Sequence, residues 1–296
     1  MIYTVAGATG NTGKPIAEAL LKAGHQVRII SRDADKAASL VALGAQLIHG
    51  SSTDSATLTA ALNGADAAYL MIPPNMQHPD FGTYQAEATE SMAHAIEASG
   101  VKNVVTLSSV GAHLESGAGI VQGLHFMENR LNEIPGVNVL HLRPCYFLEN
   151  TLGQAAAIKM MGIMGSPIRA DIKLPMIATA DIAQYAVKRL LQLDFSGKGV
   201  QHLLGAQDVT YDEVAQIYGA KIGKPDVKYV QIPAEPFKGI MMKEWGTSES
   251  VSDKMLEFMG AVNDGKVNEV AVRDAESTTP TSINDFANVF AHVYNG

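Results

Sequence analysis

The chain has little cysteine, little charge and no long apolar run. Its one cysteine, Cys145, excludes a disulfide within the chain and favours a reducing compartment. No run of roughly 18 apolar residues indicates a membrane helix, and no charged leader precedes the first predicted strand. These absences predict a cytoplasmic protein with no membrane partner.

The charged residues that are present do not suit a nucleic-acid partner. They make up 18% of the 296 residues and give a net charge of −8, whereas a duplex-binding surface is usually basic. With 47% hydrophobic residues, the composition is that of a globular α/β protein of one or two domains. We therefore expect no direct binding to nucleic acid.

Metal-binding and serine-hydrolase motifs are missing as well. The nine histidines form no His-Glu-x-x-His pattern and no cluster with cysteine, so no metal site is expected. No Gly-x-Ser-x-Gly segment is present, which argues against a nucleophilic serine of the hydrolase type.

What the chain does have is a glycine-rich turn between its first predicted strand (2–6) and its first predicted helix (15–23). A pyrophosphate needs close backbone approach and free N–H groups at a helix N-terminus, and glycines at this spacing supply both. The strand–turn–helix context therefore predicts a dinucleotide-binding loop. Its predicted contact residues are Gly7, Thr9, Gly10, Asn11, Thr12 and Gly13.

Predicted strands and helices alternate along the first half of the chain. Five further strands follow, each preceded by a helix, near residues 26–30, 45–48, 67–72, 104–107 and 139–142. This alternation predicts a doubly wound parallel sheet of the Rossmann type.

The alternation weakens after Pro144, which indicates a second structural unit. We expect a Rossmann domain over 1–150, to which 177–204 returns. A smaller α-rich substrate-binding lobe is expected over 151–176 and 205–296. Such a lobe would cover the carboxyl ends of the strands, where ligands bind in open α/β sheets.

The end of the second predicted strand bears on the identity of the dinucleotide. An acidic residue there accepts a hydrogen bond from the ribose 2′-hydroxyl, whereas an arginine pairs with a 2′-phosphate. The strand ends in Ser31-Arg32-Asp33, which favours Arg32 on the phosphate of NADPH and Asp33 as a helix N-cap. Alternatively, Arg32 is a solvated charge, and one arginine does not exclude NADH.

Several segments together resemble the NmrA-like branch of the short-chain dehydrogenase/reductase superfamily. They are the glycine-rich turn, Arg32-Asp33, 104–109, His125-Phe126-Met127-Glu128, and 142–150, which is similar to the family's Arg-Pro-x-x-Phe-x-Glu-Asn segment. The resemblance covers nearly the whole chain. It implies a Rossmann fold and either NADPH-dependent reduction of quinones or dyes, or a non-catalytic redox-sensing or regulatory role.

The usual proton donor of that superfamily is absent. It is a tyrosine four residues before a lysine, and none of the nine tyrosines has that partner. Alcohol dehydrogenation and sugar epimerisation both move a hydroxyl proton, so they are disfavoured. Hydride transfer to a quinone or a dye needs no such acid. The sequence favours an NADPH-dependent reductase and leaves a non-catalytic NADP(H) sensor, acting through a protein partner, as the alternative.

Residues near the expected nicotinamide are candidates for the rest of the site. His125 is a candidate proton donor or ribose contact, with a hydrogen bond to a loop as the alternative, and Tyr146 is a candidate substrate contact. Glu128, one turn after His125, would then fix the tautomer of the histidine ring. The predicted cofactor contacts in this half are Met71, Ile72, Pro73 and Ser108.

Two groups of methionines are open to two interpretations. They are Met160, Met161 and Met164, and then Met241 and Met242. They either line a pocket for a flat apolar acceptor or fill the core. The expected partner is a small apolar or aromatic acceptor, and a homodimer or a regulatory protein partner stays open.

Overall fold

Seven parallel strands form the central sheet of the protein, whose computed structural model describes all 296 residues. The strands of the chain are β1 (Ile2–Val5), β2 (Gln26–Ser31), β3 (Gln46–His49), β4 (Ala67–Leu70), β5 (Asn103–Leu107), β6 (Asn138–Pro144), β7 (Tyr146–Phe147), β8 (Ile163–Ser166), β9 (Leu174–Ile177), β10 (Lys198–Leu203), β11 (Asp208–Val209) and β12 (Lys228–Gln231). The helices are α1 (Gly13–Lys22), α2 (Ala34–Ala42), α3 (Ser55–Leu62), α4 (Phe81–Ser99), α5 (Gln122–Asn132), α6 (Gln154–Met161), α7 (Thr179–Gln192), α8 (Tyr211–Lys221), α9 (Ala234–Glu244), α10 (Glu249–Asn263) and α11 (Ile283–Asn295). Short 3-10 helices span Gly119–Val121, Leu148–Gly153 and Lys266–Asn268.

The sheet order is β3-β2-β1-β4-β5-β6-β10, and each neighbouring pair is parallel. The chain runs outward from β1 in one direction through β2 and β3, and in the other through β4, β5 and β6. The strand order therefore reverses between β1 and β4, which opens a crevice at their carboxyl ends. The predicted doubly wound parallel sheet is confirmed.

Two apolar cores sandwich the sheet. On one face, α1 and α7 pack together through buried residues such as Ile16, Leu20 and Leu190. On the other face, α3, α4 and α5 pack in sequence, with Leu58 and Met92 in the core. Because strand β4 is buried along its whole length, it reads as a continuous apolar run rather than an alternating one.

Helix starts follow the local capping chemistry. The Asp33 carboxylate accepts from the Lys36 amide at 3.1 Å and begins α2, as predicted. Thr210 and Glu213 form a capping box at the start of α8. Helix α4 begins at Phe81, after Asp80, whose carboxylate accepts a hydrogen bond from the Thr83 amide.

The second half contains helices and two small sheets. Strands β11-β9-β7 form one sheet, β12 and β8 form the other, and β10 joins the edge of the central sheet. The terminal helix α11 buries Ile283, Phe286 and Phe290. Val289 and Val293 of the same helix are 46% and 42% exposed. No helix is both long and apolar enough to cross a membrane.

Candidate functional site

A cleft of about 950 Å³ opens at the carboxyl ends of the central strands. It begins at the glycine-rich turn after β1 and passes the ends of β4, β5 and β6. It ends against α9 and α10 of the second half. The switch of strand order between β1 and β4 lies along this cleft, which is where open α/β sheets bind ligands.

The glycine-rich turn presents free backbone amides to the cleft. The consecutive N–H groups of Asn11, Thr12 and Gly13 donate to no other group of the chain. Helix α1 starts at Gly13 with no acidic residue in its first turn, so the positive end of the helix is not neutralised. This arrangement suits an anion such as a pyrophosphate.

Two glycines set the shape of the turn. Gly7 has φ of +64°, in the left-handed region, and closes a backbone hydrogen bond with the Gly10 amide at 2.9 Å. A Cβ on Gly13 would lie 2.2 Å from the Gly7 carbonyl oxygen, so the helix can approach the turn only without one. The Tyr69 hydroxyl donates a hydrogen bond to Thr12 Oγ1 at 3.0 Å and fixes that side chain.

The predicted cofactor residues of the turn are brought together. Five of them line the cleft, and Gly13 begins the helix behind them. Met71, Ile72 and Pro73, after β4, also line it, and their contact with the cofactor stays a prediction. The Met71 side chain packs directly on Gly7, since its Sδ would lie 2.9 Å from a Cβ there.

The end of β2 presents two basic side chains. Arg32 is exposed and forms no ion pair, while the Ser31 hydroxyl is engaged with the backbone of Asp33. Lys36, one helical turn after Arg32, lines the cleft and lies 3.7 Å from the Asp33 carboxylate. Lys36 was not predicted from the sequence as a cofactor residue. Its position in the first turn of α2, just after the end of β2, could have indicated it.

A buried polar chain lies behind the end of β5. The Ser108 hydroxyl donates to Glu128 Oε1 at 2.5 Å, and Arg143 holds the same carboxylate with two hydrogen bonds. Ser108 lines the cleft, whereas Glu128 and Arg143 do not. Glu128 therefore does not fix the tautomer of His125, and that expectation was wrong.

His125 is turned away from the cleft. Its Nδ1 donates to the Ala112 carbonyl at 2.9 Å, and its Nε2 accepts from Asn129 Nδ2 at 2.9 Å. Both ring nitrogens are thus occupied by the chain itself, which matches the alternative of a helix histidine bonded to a loop. Its role as a proton donor stays a prediction.

Tyr146 lines the cleft at the start of β7. Its ring stands edge-on to Tyr211 with the centroids 6.2 Å apart. Burial raises the pKa of the Tyr146 phenol above its ordinary value, so the hydroxyl stays protonated at neutral pH. The neighbouring Cys145 thiol is buried, and burial raises its pKa well above the usual range, so it is not a thiolate.

The far end of the cleft is apolar and aromatic. Helices α9 and α10, with the residue that follows α9, contribute Phe237, Trp245, Met255, Phe258 and Met259. The sequence did not single out Met255, Phe258 and Met259, although their spacing places them on one face of a helix.

The methionines that were singled out lie elsewhere. Met160 and Met161 are 75% and 59% exposed, and Met164 and Met241 are fully buried in the core. Met242 is 41% exposed, and none of the five methionines lines the cleft, although Trp245 beside Met241 and Met242 does. The pocket interpretation was therefore wrong for these methionines, and the core interpretation holds for Met164 and Met241 only.

Charge is distributed unevenly along the cleft. Of its 29 lining residues only Lys36 is charged, and it lies at the end near β2. The opposite end has no acidic or basic side chain. Its polar side chains are largely satisfied within the chain: Gln154 bonds both the amide and the carbonyl of Gly165, and Ser166 bonds Tyr229. This end suits an uncharged apolar ligand.

Comparison with known proteins gives relatives along the whole chain. It is 31% identical to an NAD(P)H azoreductase of Xenophilus azovorans over 254 residues, covering 86% of this chain and 85% of that one. The solved NADPH-dependent quinone oxidoreductase of Escherichia coli, complexed with NADPH, superposes with a TM-score of 0.80 at 24% identity, covering all of both chains. The Citrobacter sp. triphenylmethane reductase complexed with NADP(H) gives 0.80 at 20% identity, covering 98% of this chain and 100% of that one.

The solved relatives share the doubly wound fold described above. The model of the NmrA-like family matches residues 2–287, which includes both the sheet and the elements that close the cleft. The family indicated by the sequence motifs is therefore confirmed: the chain belongs to the NmrA-like family.

Proposed function

We propose that this protein is an NADPH-dependent oxidoreductase that passes a hydride to a quinone or a similar conjugated acceptor. One observation carries the proposal. A single cleft joins three free amides at a helix N-terminus to an aromatic chamber without charge. The first feature suits the pyrophosphate of a dinucleotide, and the second suits a flat apolar acceptor.

The cofactor is NADPH, bound across the switch between β1 and β4. Its pyrophosphate lies on the amides of Asn11, Thr12 and Gly13. Its 2′-phosphate would be held by Lys36, which lines the cleft, and by Arg32, which follows β2 and does not itself line the cleft. The nicotinamide then extends to the opposite half, between 71–73 and Ser108. The crystallised quinone oxidoreductase and triphenylmethane reductase relatives also hold NADPH or NADP(H).

The two parts of the chain take different tasks in this proposal. Residues 1–150 and 177–204 form the sheet unit and hold the cofactor, since β10 is part of the central sheet. Residues 151–176 and 205–296 supply most of the chamber for the acceptor, through α9 and α10.

Bound NADPH supplies a hydride at C4 of its nicotinamide ring. The residues of the chain keep the ring and the acceptor together in a chamber from which apolar side chains exclude water. Tyr146 is the one phenol that lines the cleft, and its raised pKa keeps the proton available for a hydrogen bond to an acceptor oxygen or nitrogen. No tyrosine–lysine pair is needed, because a quinone is electron-poor without protonation.

A neutral acceptor is favoured over a cationic one. Triarylmethane dyes are cations, and the aromatic end of the cleft has no carboxylate to pair with a positive charge. Quinones and neutral azo compounds present a flat ring system with acceptor atoms, which the Tyr146 hydroxyl can bind. The name of the azoreductase relative is consistent with this chemistry.

The test is steady-state oxidation of NADPH, followed by the absorbance of reduced nicotinamide, against neutral quinones, neutral azo dyes and cationic triarylmethane dyes. We expect turnover with neutral acceptors. Trp245→Ala should raise the KM for the best acceptor, whereas Met160→Ala, on an exposed helix face away from the cleft, should leave it unchanged.

A non-catalytic NADP(H) sensor is the second candidate. The observation in its favour is that no tyrosine–lysine dyad is present at the cleft. Tight binding of NADPH without oxidation by any compound of the panel would support the sensor and contradict the reductase.

A further inference from the structure

The buried chain of Ser108, Glu128 and Arg143 has a direction. Glu128 lies on α5, and its side chain is 5% exposed; Arg143 lies on β6 at 12%. Both guanidinium hydrogen bonds end on the carboxylate, with Nε 2.9 Å from Oε1, and the Ser108 hydroxyl bonds that same Oε1. Since a carboxylate only accepts, the serine must be the donor in this chain.

This direction decides what Ser108 offers to the cleft. A serine hydroxyl has one proton and two acceptor lone pairs. With its proton committed to Glu128, Ser108 can act toward the cleft only as an acceptor. The group facing it must therefore bring an N–H or O–H of its own.

The position of Ser108 limits which donors of the cofactor can reach it. It follows β5, on the side of the strand switch opposite to Arg32 and Lys36. A dinucleotide whose phosphates lie near the glycine-rich turn and Lys36 has its nicotinamide on this side. The donors of this half of the cofactor are the N–H groups of the ring carboxamide and the hydroxyls of the adjoining ribose, and of these the carboxamide is the one attached to the nicotinamide ring.

Stability alone does not account for the buried pair. Two apolar side chains of similar size would fill the same space without the loss of hydration that an ion pair suffers when it is buried. What the pair adds is a fixed direction for the Ser108 hydroxyl, which lines the cleft at the end of β5.

We propose that Glu128, held by Arg143, is a positioning residue that orients the Ser108 hydroxyl to accept a hydrogen bond from the nicotinamide carboxamide. This inference rests on the proposed binding of NADPH. It assigns Glu128 and Arg143 a role in fixing the plane of the nicotinamide ring against the acceptor, and it excludes Ser108 as the proton donor of the reaction.

The test compares NADP⁺ with its 3-acetylpyridine analogue, in which a methyl ketone replaces the carboxamide and no N–H donor remains. Calorimetric titration measures both affinities and needs no acceptor, so the result does not depend on turnover. We expect the wild-type protein to prefer NADP⁺ by roughly tenfold, the effect of one hydrogen bond in a dry site.

Variants of Ser108 and Glu128 test whether the preference for NADP⁺ depends on these two side chains. Ser108→Ala, which leaves the Glu128–Arg143 pair intact, should bind both nucleotides equally. Ser108→Thr should restore part of the preference. Glu128→Gln should reduce it, because one acceptor oxygen is lost and the hydroxyl is no longer held in one direction. Glu90→Gln is the matched control, since it removes a carboxylate from the partly buried pair with Arg130, away from the cleft, and should keep the preference.

The outcomes separate the binding of NADPH from the role of Ser108 and Glu128. A wild-type protein that binds no NADP⁺ overturns the cofactor assignment and this inference with it. Binding of NADP⁺ without a preference, or a preference that survives in Ser108→Ala, overturns this inference and leaves the proposed function standing. If Glu128→Gln fails to fold, as judged by its melting curve, Ser108→Ala with the analogue decides alone.

Discussion

Helix α1 approaches the glycine-rich turn so closely that one added methyl group, in Gly13→Ala, should disturb both the fold and cofactor binding. A Cβ on Gly13 would lie 2.2 Å from the Gly7 oxygen and 2.5 Å from its carbonyl carbon. Both are backbone atoms that no rotamer change can move aside. Gly13→Ala must therefore push the turn and the helix apart.

The expected loss has two parts. Overpacking of this kind costs about 1–3 kcal/mol, which for a chain of this length lowers the melting temperature by roughly 2–6 °C. Separation of the turn from the helix also misaligns the free amides. Loss of one hydrogen bond to a charged phosphate weakens NADPH by about 10- to 100-fold.

Differential scanning calorimetry and NADPH titration of Gly13→Ala measure the two parts separately. Gly239→Ala is the matched control, because it is an exposed helical glycine whose added Cβ has no atom within 4 Å. It should gain up to about 1 kcal/mol of stability and keep its NADPH affinity. A Gly13→Ala protein with unchanged melting and unchanged affinity would refute the account of the turn.

Three further predictions concern charge and protonation. Arg32→Ala and Lys36→Ala should each weaken NADPH by about 1–2 kcal/mol, or roughly 5- to 30-fold, and leave NADH unaffected; equal losses for both cofactors would remove these residues from the phosphate site. His125→Ala should leave kcat nearly unchanged, because both ring nitrogens are already bonded within the chain, and a tenfold fall would restore His125 as a proton donor. Burial lowers the pKa of His141 to about 4 from 6.5, so the stability it contributes is complete above pH 6.5 and is lost as pH falls toward 4. Urea titrations at pH 7 and pH 5 should differ by about 2 kcal/mol more in wild type than in His141→Gln, and parallel curves would contradict this assignment.

The sheet and the first half of the site could be read from the sequence because their signals are local. A strand, a glycine-rich turn and a helix that follow one another place Gly7 and Gly13 without reference to the rest of the chain. The same holds for Asp33, whose carboxylate caps the helix immediately after it. In each case the partners lie within a few residues.

The acceptor end of the cleft could not be read in this way. Whether a methionine lines a cavity or faces solvent depends on which distant element covers it, so Met160 and Met259 could not be told apart by composition. The partner of Glu128 is likewise set by the sheet, since Arg143 reaches it from β6 across fifteen residues of chain. Sequence spacing paired Glu128 with His125, which is nearer in sequence and one turn away on the same helix, and that pairing was wrong.

In the proposed function, the cleft holds NADPH against a conjugated acceptor closely enough for direct hydride transfer. Single-turnover mixing of the protein, one equivalent of NADPH and a neutral quinone tests it most directly, with NADPH deuterated at the transferring C4 position as the comparison. Direct hydride transfer predicts loss of the reduced-nicotinamide absorbance in one phase, slowed by the deuterium. NADPH that binds and stays reduced in the presence of every quinone tried would contradict it.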